Sequence, residues 1–229
     1  MSTIQSGRIV TVGLILYLDL ANSRTYTNGD SVLKDLVSDY NASPQNSPTY
    51  ITDYQGGFSL NGTDEYFDFN KQNPITGTSS FTISSWLDTK TNTDYGLAIF
   101  FGNISAGESF YLGYVTTANS GTSNSIGGGF SNLNFGTGIL SNTGPHFLSM
   151  SYDGTSNGLR LYVDGVLKLS PVLFATPNFN NTSIRIGRSN SGTSYYYNGD
   201  IFSIQLYNRV LNVNEIQQNY NTTKTRFGL

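Results

Sequence analysis

Between Leu159 and Leu169 two apolar runs flank the dipeptide Asp164-Gly165. A two-residue hairpin turn needs φ > 0 at both central positions, which Asp tolerates and Gly adopts freely, so the chain folds back on itself here as antiparallel β. Such a turn pairs Leu161 with Lys168 on one face and Tyr162 with Leu167 on the other, which leaves apolar residues on both faces. Either a bulge shifts the register, or both faces of the hairpin are covered.

The rest of the chain repeats that pattern. Gly13 to Leu20 is a nearly continuous apolar run, expected as a strand buried on both faces or at a sheet centre. Phe81 to Leu87 alternates with period two, placing Phe81, Ile83, Ser85 and Leu87 on one face and Thr82, Ser84 and Trp86 on the other. Further strands are expected at Gly96–Gly102, Ser109–Val115, Phe147–Tyr152, Ser183–Gly187 and Ile201–Tyr207, and two more around an Asn61-Gly62 turn, while the Gly-rich Ser125–Phe135 reads as a strand followed by a loop. Ser31–Tyr40 reads as a short helical turn, and Ala42–Thr49, with Pro44 and Pro48, as a loop. A helix signal comes at Asn212, which caps, with Glu215 three residues on and Ile216 and Tyr220 on one face.

Composition agrees with many short strands. Aromatic residues make up 14% of the 229, charged residues only 12%, and there are 25 Gly, 16 Tyr and no Cys. Disulfides and thiolate metal sites are thereby excluded. A net charge of −3 offers no basic surface for nucleic acid. The N-terminus lacks the apolar region of a signal peptide, and no run approaches a membrane span of about 18 residues. Strands that each bury one face are satisfied by two sheets packed together, so the expected fold is all-β: a two-sheet antiparallel jelly roll with one short C-terminal helix. Residues 1–12 are expected as an N-terminal arm, 13–220 as the sandwich and 221–229 as a tail.

Taken in order, Leu16–Leu20, Leu60–Phe67, Phe81–Trp86, His146–Gly154, Leu161–Gly165, Ile184–Gly187, Gly199–Leu211 and Glu215-Ile216 resemble the motif series of laminin-G-like, concanavalin A-like lectin/glucanase domains. The ends, Arg8–Asp19 and Asn219–Leu229, are similar to those of single-domain versions in tailed bacteriophage structural proteins. That resemblance implies a virion component made in the host cytoplasm, a capsid decoration protein or a head or tail fibre part. Other virion proteins and further copies of the chain would then be its partners. The alternative is a carbohydrate-binding module that attaches to host surface glycans, and one protein can be both.

The superfamily includes glycoside hydrolases, whose chemistry needs two carboxylates about 5–9 Å apart. Its retaining members carry Glu-x-Asp-x-x-Glu on one strand, and no such run exists here. Asp64, Glu65 and Asp68 follow a turn and read as solvated turn formers, so a non-enzyme is expected. His146 is the single histidine, which rules out a histidine metal cluster. Related domains often hold Ca2+ at the rim; Asp30, Asp35 and Asp39, or Asp94 with Asn92, are the candidate ligands, without EF-hand spacing. Asp153-Gly154 and Asp164-Gly165 are explained by turn chemistry. The candidate surface is Tyr195, Tyr196, Tyr197 and Asn198: three consecutive tyrosines on a strand cannot all face one way, and the run either simply fills a strand or exposes a ring that suits a protein interface or a sugar.

Overall fold

The computed structural model describes residues 7–90, 95–104, 108–116, 125–130, 133–173, 176–180, 184–190 and 195–229. Two antiparallel sheets pack face to face. The first runs β13 (Val166–Leu169), β12 (Arg160–Val163), β11 (His146–Tyr152), β6 (Phe81–Thr89), β15 (Asn198–Tyr207), β4 (Gly57–Asn61) and β3 (Thr49–Ile51), with β1 (Leu14–Asp19) also on β15. The second runs β10 (Leu133–Leu140), β9 (Ser125–Phe130), β8 (Ser109–Val115), β7 (Gly96–Gly102), β14 (Ile184–Ile186), β5 (Tyr66–Phe69) and β2 (Ala42–Gln45). Period-two alternation supplies the core: Phe81, Ile83 and Leu87 meet Ile99, Phe101, Phe110 and Leu112 across the interface. Phe110 stacks on Phe81 at 4.0 Å and on Phe101 at 4.8 Å.

In the Asp164-Gly165 hairpin the turn residues have φ of 53° and 77°. Val163 pairs with Val166 and Tyr162 with Leu167, after which a bulge sets Leu161 opposite Leu169 in place of Lys168. Both alternatives hold at once, because Leu161 and Val163 enter the core while Tyr162 packs in a second cluster on the outer face.

Three local expectations are corrected. Ser31–Tyr40 is not helical: the Asp35 carboxylate accepts from the Tyr17, Val37 and Ser38 amides at 2.8, 3.1 and 3.1 Å, and these side-chain bonds outcompete a helical turn. The supposed loop 42–49 contributes β2 and the first residue of β3; Pro44 is tolerated because β2 is an edge strand. Asn61-Gly62 does not close a hairpin. It carries the chain between sheets, with Asn61 Oδ1 accepting from the Thr63 and Asp64 amides at 2.8 and 3.1 Å.

The helix α1 (Val213–Thr223) begins with the expected reciprocal cap: Glu215 N to Asn212 Oδ1 at 3.1 Å and Asn212 N to the Glu215 carboxylate at 2.9 Å. It lies on the outer face of the first sheet. Trp86 stacks on Phe227 at 4.0 Å and on Tyr220 at 5.8 Å, and its indole N–H donates to Thr223 at 2.7 Å. The terminal segments also pack here. Val10 N donates to Asn219 Oδ1 at 2.8 Å, Tyr207 donates to the Val10 carbonyl at 2.9 Å, and Arg226 holds Asp19 at 2.9 Å together with the carbonyls of Tyr54 and Gly56. Residues 7–12 and 221–229, expected as arm and tail, thus lie against their own sandwich, and the boundary expected at 220 falls inside α1.

Candidate functional site: an aromatic cleft on the second sheet

Alternation that sends Ile99, Phe101, Phe110 and Leu112 inward sends Phe100 and Tyr111 outward. In register, one row crosses the second sheet: Asn134, Gly129, Tyr111, Phe100, Arg185, Asp68 and Ser43. Gly129 contributes no side chain, and the Tyr111 hydroxyl bonds Asn134 Oδ1 across it. Asn134 Nδ2 in turn donates to the Tyr95 hydroxyl at 3.1 Å. Burial pushes the Tyr111 phenol well above its usual range, so it stays a neutral donor.

These residues line a cleft of about 280 Å³, with Leu97, Phe100 and Tyr111 in its floor and Tyr95, Tyr195 and Asn134 at its sides. That volume is near the lower end of the ~300–1,000 Å³ typical of small-molecule sites. Tyr195 meets Tyr95 edge-to-face at 5.8 Å and 72°. It is held at φ 66°, and its carbonyl accepts from Leu97 N at 3.1 Å. A non-glycine residue in the left-handed region costs about 1–2 kcal/mol, and such strain clusters at ligand sites.

The tyrosine run therefore divides. Tyr195 walls the cleft. Tyr196 lies beside it, its hydroxyl accepting from Arg188 at 2.9 Å. Tyr197 is corrected as a surface residue: it is fully buried in the core between the sheets, paired with Thr89 at 2.8 Å, just before β15 begins. Asn198 opens β15 opposite Asn61, on the first sheet and away from the cleft. Sequence reading missed Tyr95, Phe100, Tyr111 and Asn134. The signal for Tyr111 and Phe100 was their phase, opposite to their core neighbours; nothing local marks Tyr95 or Asn134.

A larger cleft of about 520 Å³ lies between the termini and the first sheet, lined by Arg8, Tyr17, Asp19, Trp86 and Arg226 among others. Its polar groups serve the terminal latch: Tyr17 donates to Asp19 at 3.1 Å, and Asp19 receives Arg226.

The candidate carboxylates have structural partners. Asp64 accepts from Asn61 Nδ2 at 2.8 Å and Glu65 from the Asn61 amide at 2.9 Å, closing the crossing between sheets; burial raises the Glu65 carboxyl. Asp68 pairs with Arg185 at 2.6 Å. A carboxylate pair that sequence reading missed, Asp88 opposite Asp200, sits on the first sheet with Lys90 at 2.6 and 4.0 Å from the two. His146 bonds the turn residue Asp164 at 2.8 Å and Thr143 at 3.0 Å, and Asp164 also accepts the Phe147 amide at 2.9 Å. That turn thus braces the adjoining strand as well as reversing the chain. Asp30 accepts the Thr27 amide, Asp35 its three amides, and Asp39 pairs with Lys71. Asn92 and Asp94 lie outside the described residues. Among the described residues no three His, Asp or Glu side chains converge as metal ligands.

Solved structures with this fold include domain 4 of the GH43 extracellular arabinanase AbnA of Geobacillus stearothermophilus, in complex with arabinotriose, at 15% identity, TM-score 0.68, and 90% of this chain on 98% of that one. The Trypanosoma rangeli sialidase, in complex with the inhibitor DANA, aligns at 17% identity and TM-score 0.67, over 95% of this chain and 34% of its own. A botulinum neurotoxin type C structure, described as entering cells through two ganglioside molecules, aligns at 16% identity and TM-score 0.64, over 92% and 51%. This chain thus spans about a third of the sialidase and half of the toxin chain. No curated protein sequence matches it. A laminin G family model, the concanavalin A-like lectin/glucanases superfamily, matches residues 61–217 and leaves outside it both terminal segments on which the phage resemblance rests. On that match, and on the two-sheet sandwich that carries it, the chain belongs to the concanavalin A-like lectin/glucanase superfamily.

Proposed function

We propose that the chain is a non-catalytic carbohydrate-binding domain whose ligand sits in the Tyr95–Tyr195 cleft. The observation that carries this reading is the cleft itself: aromatic walls for the apolar face of a sugar ring, beside an amide and phenols already fixed by one another for its hydroxyls. The arabinotriose complex of the arabinanase domain and the ganglioside dependence of the toxin support a glycan as the ligand class. A glycan array identifies the ligand, and calorimetry then measures it on wild type, Tyr195→Ala and Tyr95→Ala. Both substitutions are expected to weaken binding; an array without a hit, or variants that bind as wild type does, would refute the reading.

Absence of catalysis is part of the proposal. The carboxylates near the cleft are engaged as turn and ion-pair partners, and the Asp88–Asp200 pair is bridged by a lysine on the other sheet. Release of reducing ends from a polysaccharide panel would overturn it. Work on a phage particle is a second reading, supported by the likeness of Arg8–Asp19 and Asn219–Leu229 to the ends of phage structural proteins. It predicts that the protein stays with purified particles at fixed stoichiometry through high-salt washing.

A further inference from the structure

Next to the cleft the same face carries two guanidiniums. Arg185 is the cross-strand neighbour of Phe100 in the cleft floor; it donates from Nε to Asp68 at 2.6 Å and from Nη1 to the Ser189 carbonyl at 3.0 Å. Arg188, two residues beyond β14, stands 4.7 Å from the Tyr66 ring and 5.2 Å from the Tyr196 ring. Its Nη1 donates to the Tyr196 hydroxyl at 2.9 Å and its Nε to the Ser189 carbonyl at 3.0 Å. Tyr196 follows Tyr195 in the chain, so the cleft wall and the guanidinium ledge are contiguous.

The placement is unusual for this molecule. Only 12 of its 229 residues are Lys or Arg, and the net charge is −3. Two of those cations stand side by side against one aromatic cleft. An arginine on a free surface must give up rotamer freedom to hold a ligand, whereas two rings and two hydrogen bonds already fix the plane of Arg188. A fixed guanidinium matches the two oxygens of a carboxylate, or a pair of oxygens on a tetrahedral sulfate, better than it matches sugar hydroxyls. The nearby carboxylates already accept: Asp68 from Arg185, and Glu108 from Asn180 at 2.7 Å.

We infer that the cleft takes an anionic glycan, its sugar ring against Tyr195 and Tyr95 and its carboxylate or sulfate on the ledge at Arg188. This rests on the carbohydrate-binding reading above and narrows it to acidic sugars. Four probes separate the chemistries: oligogalacturonate and its methyl ester, and a sulfated oligosaccharide and its desulfated form. Calorimetry on the full chain is expected to show an anionic member bound about tenfold or more tightly than its neutral counterpart, with affinity falling as salt rises. The pair showing the preference tells carboxylate from sulfate. Arg188→Gln is expected to erase the preference by weakening the anionic form far more than the neutral one, and Arg188→Lys to restore part of it. Equal binding of charged and neutral forms, or an equal loss of both in Arg188→Gln, would overturn the inference. Silent anionic probes beside a neutral array hit overturn it alone, and a silent array overturns the carbohydrate reading with it.

Discussion

On the outer face of the first sheet, Trp86 lies stacked against Phe227 and Tyr220, roofed by α1 and by residues 7–12 and 224–229. On the outer face of the second, Phe100 and Tyr111 form the floor of an open cleft. Both faces are aromatic rows produced by the same alternation. What differs is what the chain lays over them. The terminal segments carry buried Val10, Ile216 and Phe227 and close the first face as a second core. The second face receives instead the tyrosines 195 and 196, whose rings are half-buried, and two arginines. A family fold thus has one face closed as a second core and one left open.

That division can be broken by mutation. The largest effect belongs to the roofed face: Trp86→Ala removes the centre of its stack and should cost about 3–5 kcal/mol in chemical denaturation. Where the variant remains folded at low temperature, its glycan affinity should match wild type; a large change would show the two faces to be coupled. Asn219→Ala comes next. It strands the Val10 amide and takes away the donor that the Gln205 side-chain oxygen and the Tyr207 hydroxyl accept from, all bonded to Asn219 at 2.8–3.1 Å, and should cost about 2–3 kcal/mol. Tyr195→Gly should reverse the pattern, with stability within about 1 kcal/mol of wild type, since glycine accepts φ > 0 without strain, and affinity lower by about tenfold or more.

The smallest effect depends on pH. The hydrogen bond from Arg209 is the main cause holding the Glu215 carboxyl below its usual value, at an Nη2–Oε1 distance of 2.6 Å. A depressed carboxyl contributes stability above its unfolded value, near pH 4–5, and loses it as pH falls through the folded value. Glu215→Gln should therefore lower stability by about 0.5–1 kcal/mol at pH 7, with the gap closing toward pH 3. A gap that persists at pH 3 would assign the loss to packing.

What was legible in the sequence follows the range of the interactions. The Asp164-Gly165 turn, the alternation of Phe81–Leu87 and the Asn212 cap are set by neighbours a few residues apart, and each appears as expected. Asn61-Gly62 has equally strong local turn chemistry, yet whether its flanking strands pair or part into two sheets depends on β15 and β14, far along the chain. The cleft is harder still. Tyr95, Phe100, Tyr111, Asn134 and Tyr195 come from separate strands and connections, and only the register of the second sheet brings them together. Tyr195 was visible because it stands in a run of three. The burial of Tyr197 was not, since the left-handed turn at Tyr195 sets which way the next residues point.

The division between a roofed face and an open one is tested most directly by titrating 15N-labelled protein with the best array ligand and following its amide shifts. The account predicts shifts at Leu97, Tyr111, Asn134 and Tyr195, growing with ligand and saturating, while the amides of Val213–Thr223 stay in place. Shifts centred on that helix and the first sheet, with the cleft amides unmoved, would contradict it.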